Sequence, residues 1–232
     1  MSTRCAQLVL VARRQARLDH VAAQCRDAGG TLFVVQADVG LPQDCKRLVQ
    51  EAVDNLGGLD IVLLNAGVSQ HSRVDTWKTP DIAEEVMRIN YLGAVRCAWH
   101  ALAPLKASHG LIAVVSSLQG KAGFPGFAAY SGSKHALHGF FDALRGELIA
   151  DGVGVTIICP GPVDTEISAR PEDAPGVMSV AECARRTIRA LEQRRREEIM
   201  TLGGKAATLL RPFAADAVDS YIRKRLEASY GS

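Results

Sequence analysis

Nothing in these 232 residues has the length or apolarity of a membrane span. Met1-Ser-Thr-Arg-Cys5 leads into only a brief apolar run with arginines on both sides, so a signal peptide is not expected either. Charge of one sign is scarce: 27 Lys and Arg against 25 Asp and Glu leave a net +2, spread along the chain. That excludes the electrostatic footprint of a nucleic-acid binder. Cys5, Cys25, Cys45, Cys97, Cys159 and Cys183 form no CxxC pair and no ligand-like cluster with histidine. They read as reduced, mostly buried thiols of an intracellular, cytoplasmic protein, and no metal site is expected. His135 and His138, without cysteine or carboxylate partners at ligand spacing, read as surface or packing residues. Repeats and low-complexity linkers are absent. One further absence concerns the start of the chain, where no strand with a glycine-rich turn precedes the first apolar run.

What is present fits one domain. At 47% hydrophobic and 22% charged residues, the chain can bury a single substantial core. Leu8-Val-Leu-Val11 is a continuous apolar run, as in a parallel strand buried on both faces. The helix after it ends at Gly29-Gly30, where glycine supplies a left-handed C-cap. Thr31–Val35 and Leu59–Leu64 read as strands around a helix from about Gln43 to Asn55. A long helix over Asp81–Lys106, a strand at Leu111–Val115 and a helix over Ala128–Ala150 follow, the last with Leu137, Phe140, Phe141, Leu144 and Leu148 on one stripe. Val153–Ile158 is a strand, Ser179-Val-Ala-Glu182 a capping box, and Glu198–Leu202 a last short strand. Strands alternating with crossover helices predict an α/β, Rossmann-like, doubly wound parallel sheet. Gln193-Arg-Arg-Arg196 reads as a helix C-terminus complementing the macrodipole. Arg223-Lys-Arg225 reads as a solvated face, with attraction to a membrane surface as the other reading.

The segment VVSSLQGKAGFPGFAAYSGSKHALHGFF, Val114 to Phe141, carries the chemistry. Tyr130 and Lys134 are four apart at a helix start and leave one face. A tyrosine with a pKa near 10 is a poor neutral-pH catalyst, but a nearby ammonium favours the phenolate and brings proton transfer into range. Ser116 and Ser117 fall at the C-terminal end of the preceding strand, the rim where such sheets place ligands. A hydroxyl there can donate to a carbonyl oxygen as charge develops on it. Any one of these spacings could be only a surface helix or an ordinary turn; their order along the chain makes the set specific.

With those residues in place, the chain resembles the short-chain dehydrogenases/reductases from Gln7 onward. The stretch SSLQGK…YSGSKHAL…FFDALRGEL is especially similar to the branch containing dehydrogenase/reductase member 7B. The family's YxxxK is Tyr130 to Lys134, its serine thirteen residues upstream is Ser117, and its active-site asparagine is Asn90. The resemblance implies that Tyr130 donates or accepts the proton and that Lys134 lowers its pKa and holds the nicotinamide ribose. It further implies that Ser117 orients the substrate oxygen and that Asn90 supports a proton-relay water. The Asn-Asn-Ala-Gly motif appears as Leu64-Asn65-Ala66-Gly67, one asparagine short. Asp38-Val39 matches the pair that contacts adenine; Pro160, Gly161, Val163 and Thr165 match the segment around the nicotinamide.

Arg13 takes the place where an arginine pairs with the 2′-phosphate of NADP, and Arg14 follows it, so NADP(H) is favoured over NAD(H). A solvated helix start is the other reading of that pair. The implied activity is reversible carbonyl reduction or alcohol oxidation on a small, apolar substrate. Phe124, Phe127 and Val163 supply an apolar wall, and 165–179, with Pro171, Pro175 and Met178, forms a short substrate lid. Residues 204–232 form a C-terminal helical segment, and the resemblance implies a homodimer or homotetramer built on the two long helices.

In that family Leu8–Val11 corresponds to the second strand, so the expected sheet lacks its central first strand, its glycine-rich turn and its first helix, as in an N-terminally truncated chain. Three outcomes stay open: a truncated or mis-started active enzyme, a short form serving as a non-catalytic binding or regulatory subunit, or a sheet in which strand two shifts to pair with strand four.

Overall fold

The structure, a computed structural model, describes residues 7–27, 29–167 and 176–230. Its sheet is split. Strand β1 (Gln7–Ala12) pairs in parallel with β2 (Thr31–Gln36), Leu8 opposite Leu32 and Val11 opposite Val35. Four further strands, β3 (Ile61–Leu64), β4 (Leu111–Val115), β5 (Gly154–Cys159) and β6 (Glu197–Ile199), form a second parallel sheet in that order. No ladder joins β1 to β3, so strand two has not shifted onto strand four. Helix α2 (Pro42–Leu56) packs against β1 and against α4 (Gly93–Ser108), joining the two sheets in one core.

That core is single. Val35, Leu48 and Val49 from the first sheet and its crossover join Ala98, Ile112, Val114, Leu137, Phe141 and Ile157, with Val9, Val11, Val62 and Leu64 packed around them. Helix α1 (Gln15–Asp27) buries only Leu18 and Ala22, whereas α2 buries Cys45, Leu48, Val49 and Ala52 at helical spacing and ends on Gly57 in the left-handed region. The domain is Rossmann-like, with all strands parallel.

Sequence expectations needed four adjustments here. The long helix is α3 (Asp81–Met87) and α4 separated by one π-helical turn, Arg88–Leu92. Helix α5 (Ala128–Glu147) stops before Ala150, and the last strand is Glu197–Ile199, because Thr201 caps a new helix, α7 (Leu202–Leu210), by accepting from Gly204 N at 3.0 Å. The arginines at 194–196 follow helix α6 (Val180–Glu192) as ties, not as dipole partners: Arg194 donates to the carbonyls of His109, Gly110 and Gly152, Arg195 pairs with Glu198, and Arg196 with Asp142 at 3.0 Å. Ser179 caps α6 as its spacing predicts, accepting from Glu182 N. Helix α8 (Ala215–Tyr230) closes the chain, with Arg223 and Lys224 exposed. No helix among the described residues is long and apolar enough to cross a membrane.

Candidate active site

The C-terminal ends of β4 and β5 and the start of α5 meet at a cavity of about 650 Å³, within the usual range for small-molecule sites. Ser117 leaves β4 with an extended backbone and starts a short 3-10 turn, its hydroxyl accepting from Gln119 N at 3.1 Å. The same hydroxyl hydrogen-bonds the Tyr130 phenol. Lys134, one turn beyond Tyr130 on α5, is buried and donates from Nζ to Val115 O at 2.8 Å, with Nζ 5.5 Å from the centre of the Tyr130 ring. Ser116, buried on the cavity wall, ties α5 down by donating to Lys134 O at 3.2 Å.

Asn90 explains the π-helical turn. The extra residue per turn turns the amide, 1% exposed, onto the loop after β3, where Oδ1 accepts from Val68 N at 2.8 Å and Nδ2 donates to Val68 O and Ser133 Oγ. Ser133 in turn donates to Tyr130 O. Gly67 sits where a Cβ would stand 3.2 Å from Asn90 Oδ1 and 3.7 Å from Lys134 Nζ, so Gly67, Asn90 and Lys134 share one close-packed corner. Four sequence-expected residues, Ser117, Tyr130, Lys134 and Asn90, are thus joined into one network.

The electrostatics differ from the sequence expectation. Burial raises the Tyr130 pKa, and the Ser117 hydrogen bond opposes it. Lys134 is itself brought down to about 8 by burial, which penalises its charged form, with Cys159 opposing the shift. The expected lowering of Tyr130 by Lys134 is therefore not the dominant influence in this arrangement.

Asn65 and Gly67, on the loop after β3, line the cavity together with Pro160, Gly161, Val163 and Thr165; Ala66 lies between the first two, exposed. Backbone pairing of Val163 with Met178, and of Asp164 N with Met178 O, closes the base of the lid. Pro171 and Pro175 lie outside the described residues. Asp38 is turned into its own loop, its Oδ1 accepting from Gly40 N at 2.8 Å, and Val39 packs on Gly93. Arg13 is exposed at the end of β1, with no ion-pair partner among the described residues. Arg14 has one: Glu166, which also holds Arg17, ties the β1–α1 turn to the lid. Glu166 and Arg17 gave no signal in the sequence, since 149 residues separate them.

Phe124 and Phe127 both line the cavity, and Phe127 stacks on His71 at 4.5 Å. A wall went unread in the sequence: Val180, Ala184, Ile188 and Leu191 of α6 face the cavity at helical spacing, a stripe visible in the sequence but without a target there. His138 also departs from expectation. It lies beside Cys159 and Glu197, partners brought together by α5, β5 and β6.

A fit of the site to a nicotinamide group can be judged from these residues. The corner of Gly67, Asn90 and Lys134 leaves a gap that any side chain at position 67 would fill, with a buried ammonium at its floor, which suits a ribose and nicotinamide. Arg13-Arg14 at the β1–α1 turn would suit the adenosine-ribose end, and for the pyrophosphate no glycine-rich turn opens a helix among the described residues.

Comparison with known proteins places this geometry. The chain is 34% identical over 195 residues to the 11-beta-hydroxysteroid dehydrogenase-like 4A protein of Arabidopsis thaliana, covering 80% of this chain and 65% of that protein's length. It is 30% identical over 240 residues to the dehydrogenase/reductase SDR family protein 7-like of Dictyostelium discoideum, covering 96% of this chain and 75% of that one. A crystal structure of a short chain dehydrogenase/reductase SDR from Burkholderia phymatum in complex with NAD superposes with a TM-score of 0.82 at 21% identity, over 91% of this chain and 85% of that one. The sequence model of the short chain dehydrogenase family matches residues 1–175, and the chain belongs to that family of oxidoreductases.

Proposed function

We propose that the cavity carries out NADP(H)-dependent carbonyl reduction, with alcohol oxidation as its reverse, on an apolar substrate. The observation that carries this reading is the joining of Ser117, Tyr130, Lys134 and Asn90 into one network on the wall of an apolar cavity. When bound, the cofactor supplies or accepts the hydride. The chain's own residues manage the oxygen. Ser117 Oγ donates to the substrate carbonyl, holding it beside the Tyr130 hydroxyl. Burial keeps that phenol protonated at neutral pH, so it is poised to give its proton to the oxygen as the carbonyl is reduced. Lys134, held at Val115 O, keeps a positive charge near the phenolate left behind and would hold the nicotinamide ribose. Asn90 fixes the loop after β3 and so the position of Gly67. Ile188, Phe124 and Phe127 exclude water from an apolar substrate. Arg13 supports NADP(H) over NAD(H) by its place at the end of β1. By the family likeness, the chain also pairs with copies of itself through α4 and α5.

A second reading, a non-catalytic binding subunit that keeps the wall but not the phosphate clamp, is supported by the absence of a glycine-rich turn opening a helix among the described residues. Titration of the chain with NADPH, followed by an NADPH-oxidation assay on a panel of apolar ketones, separates the two. Micromolar binding with turnover supports the enzyme, and folded protein without binding supports the subunit. In the enzyme, Tyr130→Phe should lower kcat by roughly 10²–10⁴-fold without loss of folding; unchanged turnover would remove Tyr130 from proton transfer. Arg13→Asp should shift preference toward NADH.

A further inference from the structure

Three side chains that the proposed reaction does not use converge where α5, β5 and β6 meet. Cys159 Sγ stands 3.7 Å from His138 Nε2 and 3.5 Å from Glu197 Oε1, and the same carboxylate oxygen is 3.6 Å from His138 Nδ1. Tetrahedral zinc, with bonds of about 2.0–2.3 Å to nitrogen, oxygen and sulfur, sets its ligand atoms about 3.4–3.6 Å apart. Sγ and Nε2 approach that separation, and with one ring nitrogen of His138 serving as ligand all three ligand atoms lie within 4.8 Å of one another. His138 is 8% exposed and its Nδ1 has no hydrogen-bond partner among the described residues, although a buried ring nitrogen ordinarily finds one. Gly120 makes the approach possible, since a Cβ there would lie 2.6 Å from His138 Cδ2.

We propose that His138, Cys159 and Glu197 form a binding site for a zinc-class divalent ion, with a fourth position open to water. The donor set selects the metal class. An imidazole, a thiolate and one carboxylate suit zinc and its neighbours, while magnesium and calcium require oxygen ligands. Lys121 occupies the position of the incoming charge, its Nζ 2.6 Å from Glu197 Oε1, and with 21% of its side chain exposed it can swing into solvent. Binding therefore exchanges one ammonium for one dication. The Cys159 S–H bond breaks, a sulfur–metal bond forms, and the proton leaves to solvent, so thiolate and carboxylate together balance the ion. Because Cys159 directly precedes Pro160-Gly161 and His138 lies one turn beyond Lys134, the ion would clamp the helix of the active-site wall to the strand beside it.

Cobalt titration of the chelator-treated full chain, under a non-thiol reductant, tests this. A sulfur-to-cobalt charge-transfer band should rise and saturate, zinc should abolish it, and zinc should raise the Tm. Cys159→Ser should remove the band, and Glu197→Gln should weaken cobalt binding more than about tenfold, while Cys25→Ser and Cys183→Ser leave it unchanged. A folded chain with no band, or a band that survives Cys159→Ser, overturns the site. If Cys159→Ser fails to fold, Glu197→Gln decides alone, and unchanged affinity overturns the site equally.

Discussion

Strands β3 and β4 are neighbours of nearly identical character, Ile-Val-Leu-Leu beside Leu-Ile-Ala-Val-Val, yet they live in different surroundings. In β4 the first four residues are at most 2% exposed, while in β3 Ile61 and Leu63 are 38% and 45% exposed. Composition does not separate them; neighbours do. β4 has a strand on each side, whereas β3 has β4 on one side and no ladder on the other. The molecule thus has a closed half, β4–β5–β6 with α5, which carries the network of Tyr130, and an open half, where no ladder joins β1 to β3. A buried unpaired backbone group costs about 1–3 kcal/mol, so this arrangement keeps the open edges partly in water.

The sharpest way to break the comparison is one substitution made on both strands. Ile112→Ala, in the closed half, should lower unfolding free energy by about 2–5 kcal/mol, and Ile61→Ala by less than about 1 kcal/mol, both read from urea midpoints. Equal losses would mean that the β3 edge is covered in solution. Hydrogen exchange should agree, with amides of β3 exchanging ahead of those of β4.

A pH series probes the closed half more finely. Lys134 titrates near 8 in the folded chain and near 10.5 unfolded, so between those values the unfolded state binds more protons and stability rises with pH. Carbonyl reduction should move the other way and decline above about pH 8, because the ammonium near Tyr130 is lost. Parallel pH profiles of Tm and of turnover check the opposed signs; profiles that rise together would separate Lys134 from catalysis.

The smallest effect belongs to the open half. Glu166→Gln releases Arg14 and Arg17 from the lid, and because all three are largely exposed the pair itself adds little stability. The expected outcome is an unchanged Tm and a few-fold tighter Kd for NADPH relative to NADH, measured by titration. An unchanged ratio would confine phosphate recognition to other residues.

Periodicity made most of the elements legible. Apolar runs marked β1, β2, β4 and β5, and the capping box at Ser179 marked α6, because these signals are local. The same was true of the motif residues around Tyr130, which share one helix face or one strand end. The split sheet, the π-helical turn at Asn90, the raised Tyr130 pKa and the Glu166 tie were not legible, since each depends on partners dozens of residues away. His138 is the plainest case. Helical spacing could show that it shares a face with Lys134 and Phe141, but its thiol and carboxylate neighbours are 21 and 59 residues along the chain and meet it only when β5 and β6 close against α5.

By itself the sequence determined the family, the order of strands and helices, and which side chains could do proton chemistry, because those follow from local patterns of burial and residue type. Only the tertiary structure decided which strand edges pair, which charges are desolvated and which distant groups come within bonding distance. Those outcomes depend on where water is excluded, and exclusion of water is a property of the packed chain as a whole.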